Sequence, residues 1–164
     1  MALQGKKLIN DPDDVVTEFI EGLVETYPGL QYLDGFPQIK VVIRADVVRG
    51  ANDKVAVISG GGAGHEPAHA GFVGPGMLTA AVSGDVFASP PVDSILAAIR
   101  AVTGPMGCLL IVKVPCKVGA LNVLARLCHL NYLILGIEHC LYLYQVYILL
   151  LLSPPCVSAY THRH

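Results

Sequence analysis

The side chains best suited to chemistry fall in one stretch, Ser59-Gly60-Gly61-Gly62-Ala63-Gly64-His65-Glu66-Pro67-Ala68-His69-Ala70-Gly71. It follows the apolar run Val55 to Ile58, which reads as a buried strand. Glycine has no Cβ, so a glycine-rich turn can take φ > 0 and bring backbone N–H groups close to a small polar ligand. Pro67 biases Glu66 toward extended geometry and offers a rigid start to a following helix. His65, at the mouth of such a turn, can exchange a proton with a ligand hydroxyl near neutral pH.

Spacing separates three readings of this stretch. A phosphate-binding P-loop requires G-x-x-x-x-G-K-[ST], and His65 and Glu66 stand where the lysine and hydroxyl residue belong. A dinucleotide fingerprint G-x-G-x-x-G requires glycine at position 65 or 67, which hold His65 and Pro67. His65-Glu66-Pro67-Ala68-His69 spells H-E-x-x-H, the zinc-protease signature. That chemistry needs both histidines on one helical turn around a shared Zn²⁺. If Pro67 takes the first helical position, His65 falls outside the helix and the i, i+4 geometry is lost. His69 then belongs to the helix, where it is expected to pack or to face solvent. Asp85, after an apolar run and a glycine, reads as a loop residue near the same end.

The elements that must position this stretch alternate between helix and strand. Asp11 can cap a first helix, Pro12 suits its first position, and Asp13 and Asp14 complement the positive end of its dipole. The acidic cluster is therefore read as helix-end charge and not as a metal site. Val15, Val16, Phe19, Ile20, Leu23, Val24 and Tyr27 recur at helical spacing until Pro28-Gly29. Ile39 to Ile43 and Val55 to Ile58 read as strands, and Met77 to Val82 is a third apolar run. Ser89-Pro90-Pro91-Val92-Asp93 introduces a second helix with Ile95, Leu96, Ile99 and Val102 inward, closed by Gly104-Pro105. Cys108 to Val112 reads as a central strand of a parallel sheet. The pattern implies an α/β layered sheet with flanking helices and a ligand at the carboxyl ends of the strands, where His65 and Lys113 both fall.

Composition narrows the function classes. The chain has 164 residues, 53% of them hydrophobic, enough for a core, and a net charge of −2 that gives no electrostatic case for nucleic acid. Nothing before Lys6 has the apolar core of a secretory signal, so the expected compartment is the cytosol. Cys108, inside a strand, reads as a buried reduced thiol.

The order strand, S-G-G-G-A-G-H-E-P-A-H-A-G-F-V-G, then Gly76-Met77-Leu78-Thr79, resembles the dihydroxyacetone (glycerone) kinase family, in particular its animal triokinase/FMN cyclase branch. The resemblance continues through Val86-Phe87-Ala88-Ser89-Pro90, Ser94 to Val102 and Leu109 to Lys113, and begins at Lys6-Lys7-Leu8-Ile9-Asn10. It implies that residues 1–113 are the N-terminal part of the family's substrate-binding domain, which takes dihydroxyacetone or glyceraldehyde. In the family a separate C-terminal domain supplies ATP and magnesium for phosphorylation. The substrate-contacting turn maps by resemblance to Gly62, Ala63, Gly64 and His65, and a later strand-end lysine maps to Lys113. Family members dimerise, which implies a homodimer or a heterodimer with a full-length enzyme.

The match ends after Lys113. The family continues Asn-Tyr-Thr-Gly-Asp, whose aspartate binds substrate; here Val114-Pro115-Cys116-Lys117-Val118 follows. A later family histidine, which bonds covalently to the substrate carbonyl, has no matching position either. No catalytic residue, metal ligand or cofactor is therefore carried onto this chain, and it is expected to lack turnover by itself. A noncatalytic partner or competitor of the full-length enzyme is the competing reading.

Residues 114–164 differ in composition: four of the five cysteines and most tyrosines lie there, with Glu138 the single acidic residue. Leu130 to Leu152 is long enough for a bilayer span, but Glu138, His139, Asn131 and Gln145 weigh against one. Cys116, Cys128 and Cys140 recur at equal spacing beside His129 and His139, yet no C-x-x-C pair accompanies them, so no zinc site is assigned. Tyr142 to Leu152 is β-prone and uncharged, and the segment reads as an aggregation-prone extension.

Overall fold

A computed structural model describes residues 10–47, 52–114, 133–141 and 144–152 of the chain. Expectations that rest on residues 1–9, 115–132 and 153–164, including Cys116 and Cys128, lie outside the described residues.

Asp11 organises the first turn. Its carboxylate accepts the Asp13 N–H at 3.0 Å, and its carbonyl accepts the Val15 N–H at 2.9 Å. Helix α1, Val15–Thr26, starts only after that turn, three residues later than Pro12 would place it. Val16 and Ile20 are buried, with Val15, Phe19, Leu23 and Val24 packed beside them. Tyr27, expected on this face, is 56% exposed, because the chain has already left helical geometry there.

Among the described residues seven strands follow: β1 Leu30–Tyr32, β2 Val41–Arg44, β3 Ala56–Ala63, β4 Ala80–Val86, β5 Cys108–Val114, β6 Leu133–Leu141 and β7 Tyr144–Leu152. Their order in the sheet is β1-β2-β4-β3-β5-β7-β6. Only β4, β3 and β5 are mutually parallel; β1, β2, β6 and β7 join antiparallel. β1, too short for a periodic signal, went unread in the sequence. The β-prone stretch of the tail is β7, whose backbone pairs with β5 from Cys108↔Leu151 to Val114↔Gln145. Among the described residues no helix is long and apolar enough to cross a membrane.

Alternation along the strands builds two cores, one on each face of the sheet. Val41, Ile43, Ile58, Ala80 and Val82 face helix α2, Val92–Val102, which contributes Leu96, Ala98, Ile99 and Val102. Val42, Ala63 and Ala81 face α1 with Val16 and Ile20. Each fully buried Ile or Val contributes about 1.5–3 kcal/mol. The result is an α/β/α layering, as the helix and strand signals imply, with α2 forming the β4-to-β5 crossover.

The glycine run departs from expectation. It is a strand and not a turn: β3 continues through Ser59, Gly60, Gly61 and Gly62 to Ala63, paired with β5 as far as Gly60 and with β4 as far as Ala63, with a register shift between Gly61 and Ala63. Close approach is the physical reason. A Cβ on Gly60 would lie 2.3 Å from the Val82 carbonyl oxygen, and one on Gly62 would lie 2.8 Å from that of Ala88. A Cβ on Gly84, on β4, would lie 2.1 Å from the same Ala88 oxygen. The glycines let β3, β4 and the segment after β4 close upon one another.

Candidate functional site

The turn proper begins at Gly64, where φ is +115°, a value that favours glycine. A Cβ there would also strike the Phe87 ring, 3.1 Å from its Cζ. Gly64 therefore answers two constraints, one from the backbone and one from a side chain distant in sequence. The Gly64 N–H donates to both carboxylate oxygens of Glu66, at 3.0 and 2.9 Å. A ligand oxygen seeking that amide must compete with Glu66, which makes Glu66 part of the site. The exchange is between partners: a charge-assisted hydrogen bond yields to a neutral one.

His65 is exposed at this corner. Its ring meets Phe87 edge-on, with centroids 5.5 Å apart and planes at 88°. No helix follows Pro67. Residues 65–69 form successive turns, with Ala68 N–H on the His65 carbonyl at 3.2 Å and Gly71 N–H on that of Pro67 at 2.9 Å. Only a short 3-10 turn, Ala70–Phe72, is helical, and His69 precedes it. The expected helix is displaced because the chain must return quickly to Leu78 and Thr79, just before β4, where Leu78 N–H bonds the Phe72 carbonyl at 3.0 Å.

The two histidines of the H-E-x-x-H spelling consequently have different partners. His69 turns back onto the sheet: its Nδ1 lies 3.3 Å from the Oγ of buried Ser59, and its ring is edge-on to Phe72. Ser59 Oγ in turn donates to the Ile111 carbonyl at 3.3 Å. With its proton so used, the serine oxygen accepts from a protonated Nδ1. Of the packing and solvent exposure expected for His69, the half-buried ring shows the first, from a turn and not from a helix.

Lys113 stands at the same end of the sheet. It follows Val112, the β5 partner of Gly60 in the parallel register. On its other edge its backbone pairs with Val146 of β7. Gly62, Ala63, Gly64, His65 and Lys113 are thus gathered at the carboxyl ends of β3 and β5. Asp85, near the end of β4, is committed to an ion pair with Lys40 at 3.1 Å. A cavity of about 590 Å³ lies at the opposite end of these strands, lined by Arg44, Asp53, Lys54, Val55, Met77 and Thr79. The Arg44 guanidinium there is occupied by Asp46, whose carboxyl it holds below the usual range. None of Gly62, Ala63, Gly64, His65 and Lys113 lines that cavity.

Phe87 is the member of the site that sequence reasoning missed. Its φ of +51° is rare for a bulky residue, and its ring is 76% exposed. Its signal was its place in the Val86-Phe87-Ala88-Ser89-Pro90 stretch of the resemblance, and residue propensities cannot distinguish it there from an ordinary loop position.

This is an α/β sheet domain with an exposed corner, Gly64 to Glu66, at the carboxyl end of its parallel strand β3. Residues 21–114 match the Dak1 domain, and the chain belongs to that family. It is 81% identical over 113 residues to the putative 3,4-dihydroxy-2-butanone kinase of Solanum lycopersicum, covering 69% of this chain and 19% of that protein. With the triokinase/FMN cyclase of Mus musculus the identity is 51% over 113 residues, 68% of this chain and 19% of the mouse protein. The crystal structure of the dihydroxyacetone kinase from C. freundii in complex with AMP-PNP and Mg²⁺ superposes with a TM-score of 0.63 and 50% identity, over 73% of this chain and 22% of that one. The chain therefore spans about a fifth of the length of the curated relatives it matches.

Proposed function

We propose that this chain carries the ketone-binding portion of a short-chain hydroxyketone kinase. The observation that carries the reading is the convergence of Gly64, His65 and Lys113 at the carboxyl ends of adjacent parallel strands in a Dak1 domain. The names of the relatives, dihydroxyacetone kinase and 3,4-dihydroxy-2-butanone kinase, share one chemical class, a small α-hydroxyketone. His65, reachable from solvent, would take the proton of a substrate hydroxyl as that oxygen becomes a nucleophile. The end of β3 would seat the polyol chain, with Gly64 N–H released from Glu66. Lys113, near the end of β5, would be a second contact for the substrate.

ATP and Mg²⁺ would supply the phosphoryl group, as the ligands of the C. freundii enzyme suggest. The role assigned to this chain is to bind the ketone, as part of a Dak1 domain. Binding without phosphorylation is the expected behaviour of the 164-residue chain by itself. The departure from the family pattern at Val114 to Val118 supports this expectation.

The test is a two-dimensional amide NMR titration of the full chain with millimolar dihydroxyacetone or 3,4-dihydroxy-2-butanone. Peak movements centred on Gly62 to His65, abolished by His65→Ala, are expected. A dispersed spectrum in which neither ketone moves those peaks would overturn the proposal.

A further inference from the structure

Phe87 combines two costs in one residue. A non-glycine residue in the left-handed region is disfavoured by roughly 1–2 kcal/mol. A ring that is 76% exposed gains little from burial. Neither cost secures core packing, since the cores on the two faces of the sheet do not include this side chain.

The backbone nevertheless holds it firmly. Phe87 N–H donates to the Ala63 carbonyl at 2.9 Å, and the Ala88 N–H closes the turn onto Asp85 at 3.0 Å. Behind them, Ala88 sits where Cβ atoms on Gly62 and Gly84 would be. These close approaches deliver the ring to one place, edge-on to His65 and against Gly64. Backbone strain that secures no packing, beside a group capable of proton transfer, points to function.

We propose that Phe87 is the positioning residue for His65: its ring holds the imidazole at the corner and excludes water from one side of the bound ketone. The inference rests on the hydroxyketone reading above. An aromatic pair of this geometry is worth about 0.5–1.5 kcal/mol, which corresponds to roughly a two- to tenfold change in affinity.

The decisive variant is Phe87→Gly, because glycine suits φ +51° and removes the ring. In the full chain its thermal midpoint should equal or exceed that of the wild type. Its affinity for dihydroxyacetone, followed by NMR, should fall by about two- to tenfold. The carbon-bound ring protons of His65 should lose their aromatic shielding. Phe87→Tyr, which keeps the ring, should restore both the affinity and the shifts. Should the glycine variant lose the fold, Phe87→Leu gives the same reading, since it keeps bulk and loses aromaticity. Unchanged affinity and unmoved His65 ring resonances in the ringless variant overturn the proposal. If the wild type binds neither ketone, the hydroxyketone reading fails separately, and unmoved ring resonances in Phe87→Gly then overturn the positioning role.

Discussion

Replacing Gly60 with alanine adds one methyl group at a place where the sheet has no room. Gly60 pairs with Val82 on one side and Val112 on the other. The added Cβ would lie 2.3 Å from the Val82 carbonyl oxygen and 3.1 Å from its carbon. Ordinary contact requires roughly 1 Å more separation. The obstacle is backbone, so no side-chain rotation relieves it, and β3 and β4 must part. Overpacking costs about 1–3 kcal/mol, and each ladder bond lost adds about 0.5–1.5 kcal/mol. A loss of about 3 kcal/mol follows, which lowers the urea midpoint by roughly 1–3 M at slopes usual for small proteins. Gly22→Ala is the internal control. Gly22 lies within α1 with nothing within 4 Å of its would-be Cβ, so the same substitution should stabilise by about 0.5–1 kcal/mol. Far-UV circular dichroism during urea titration of both variants reads the two signs. A Gly60→Ala midpoint within about 0.2 M of the wild type would refute the close-approach account of the glycine run.

Two further outcomes follow from single residues. Glu66→Ala removes the acceptor of the Gly64 N–H, so hydrogen exchange at that amide should quicken while the cores stay protected; unchanged exchange would show that Glu66 does not hold it. Burial pushes the Cys108 thiol above its ordinary value of 9.0. The folded chain therefore keeps a proton that the unfolded chain releases, and this contribution is intact below pH 9.0 and lost as pH rises further. Comparison of the alkaline limbs of wild type and Cys108→Ala in pH-dependent thermal melts isolates the effect from the other cysteines. Identical limbs would count against a buried neutral thiol.

Much of this molecule was decided by the sequence alone. The spacing of Val16 and Ile20, and of Leu96, Ile99 and Val102, defined two helices by their buried faces. The β-branched runs marked the strands that became β2, β3 and β5, and the station of Gly64, His65 and Lys113 at strand ends was legible from the same order. These features depend on neighbours within a turn or two of chain, so residue types and period suffice. Tertiary structure decided what the glycines are for. Their permissiveness allows a turn as readily as a close approach, and only the arrival of Val82 and Ala88, some twenty residues on in the chain, selects the strand. The same contacts commit Glu66 to the Gly64 amide, turn His69 inward to Ser59 and force Phe87 into the left-handed region beside His65. Such outcomes are set by which segments meet across the sheet, a relation that no local pattern encodes.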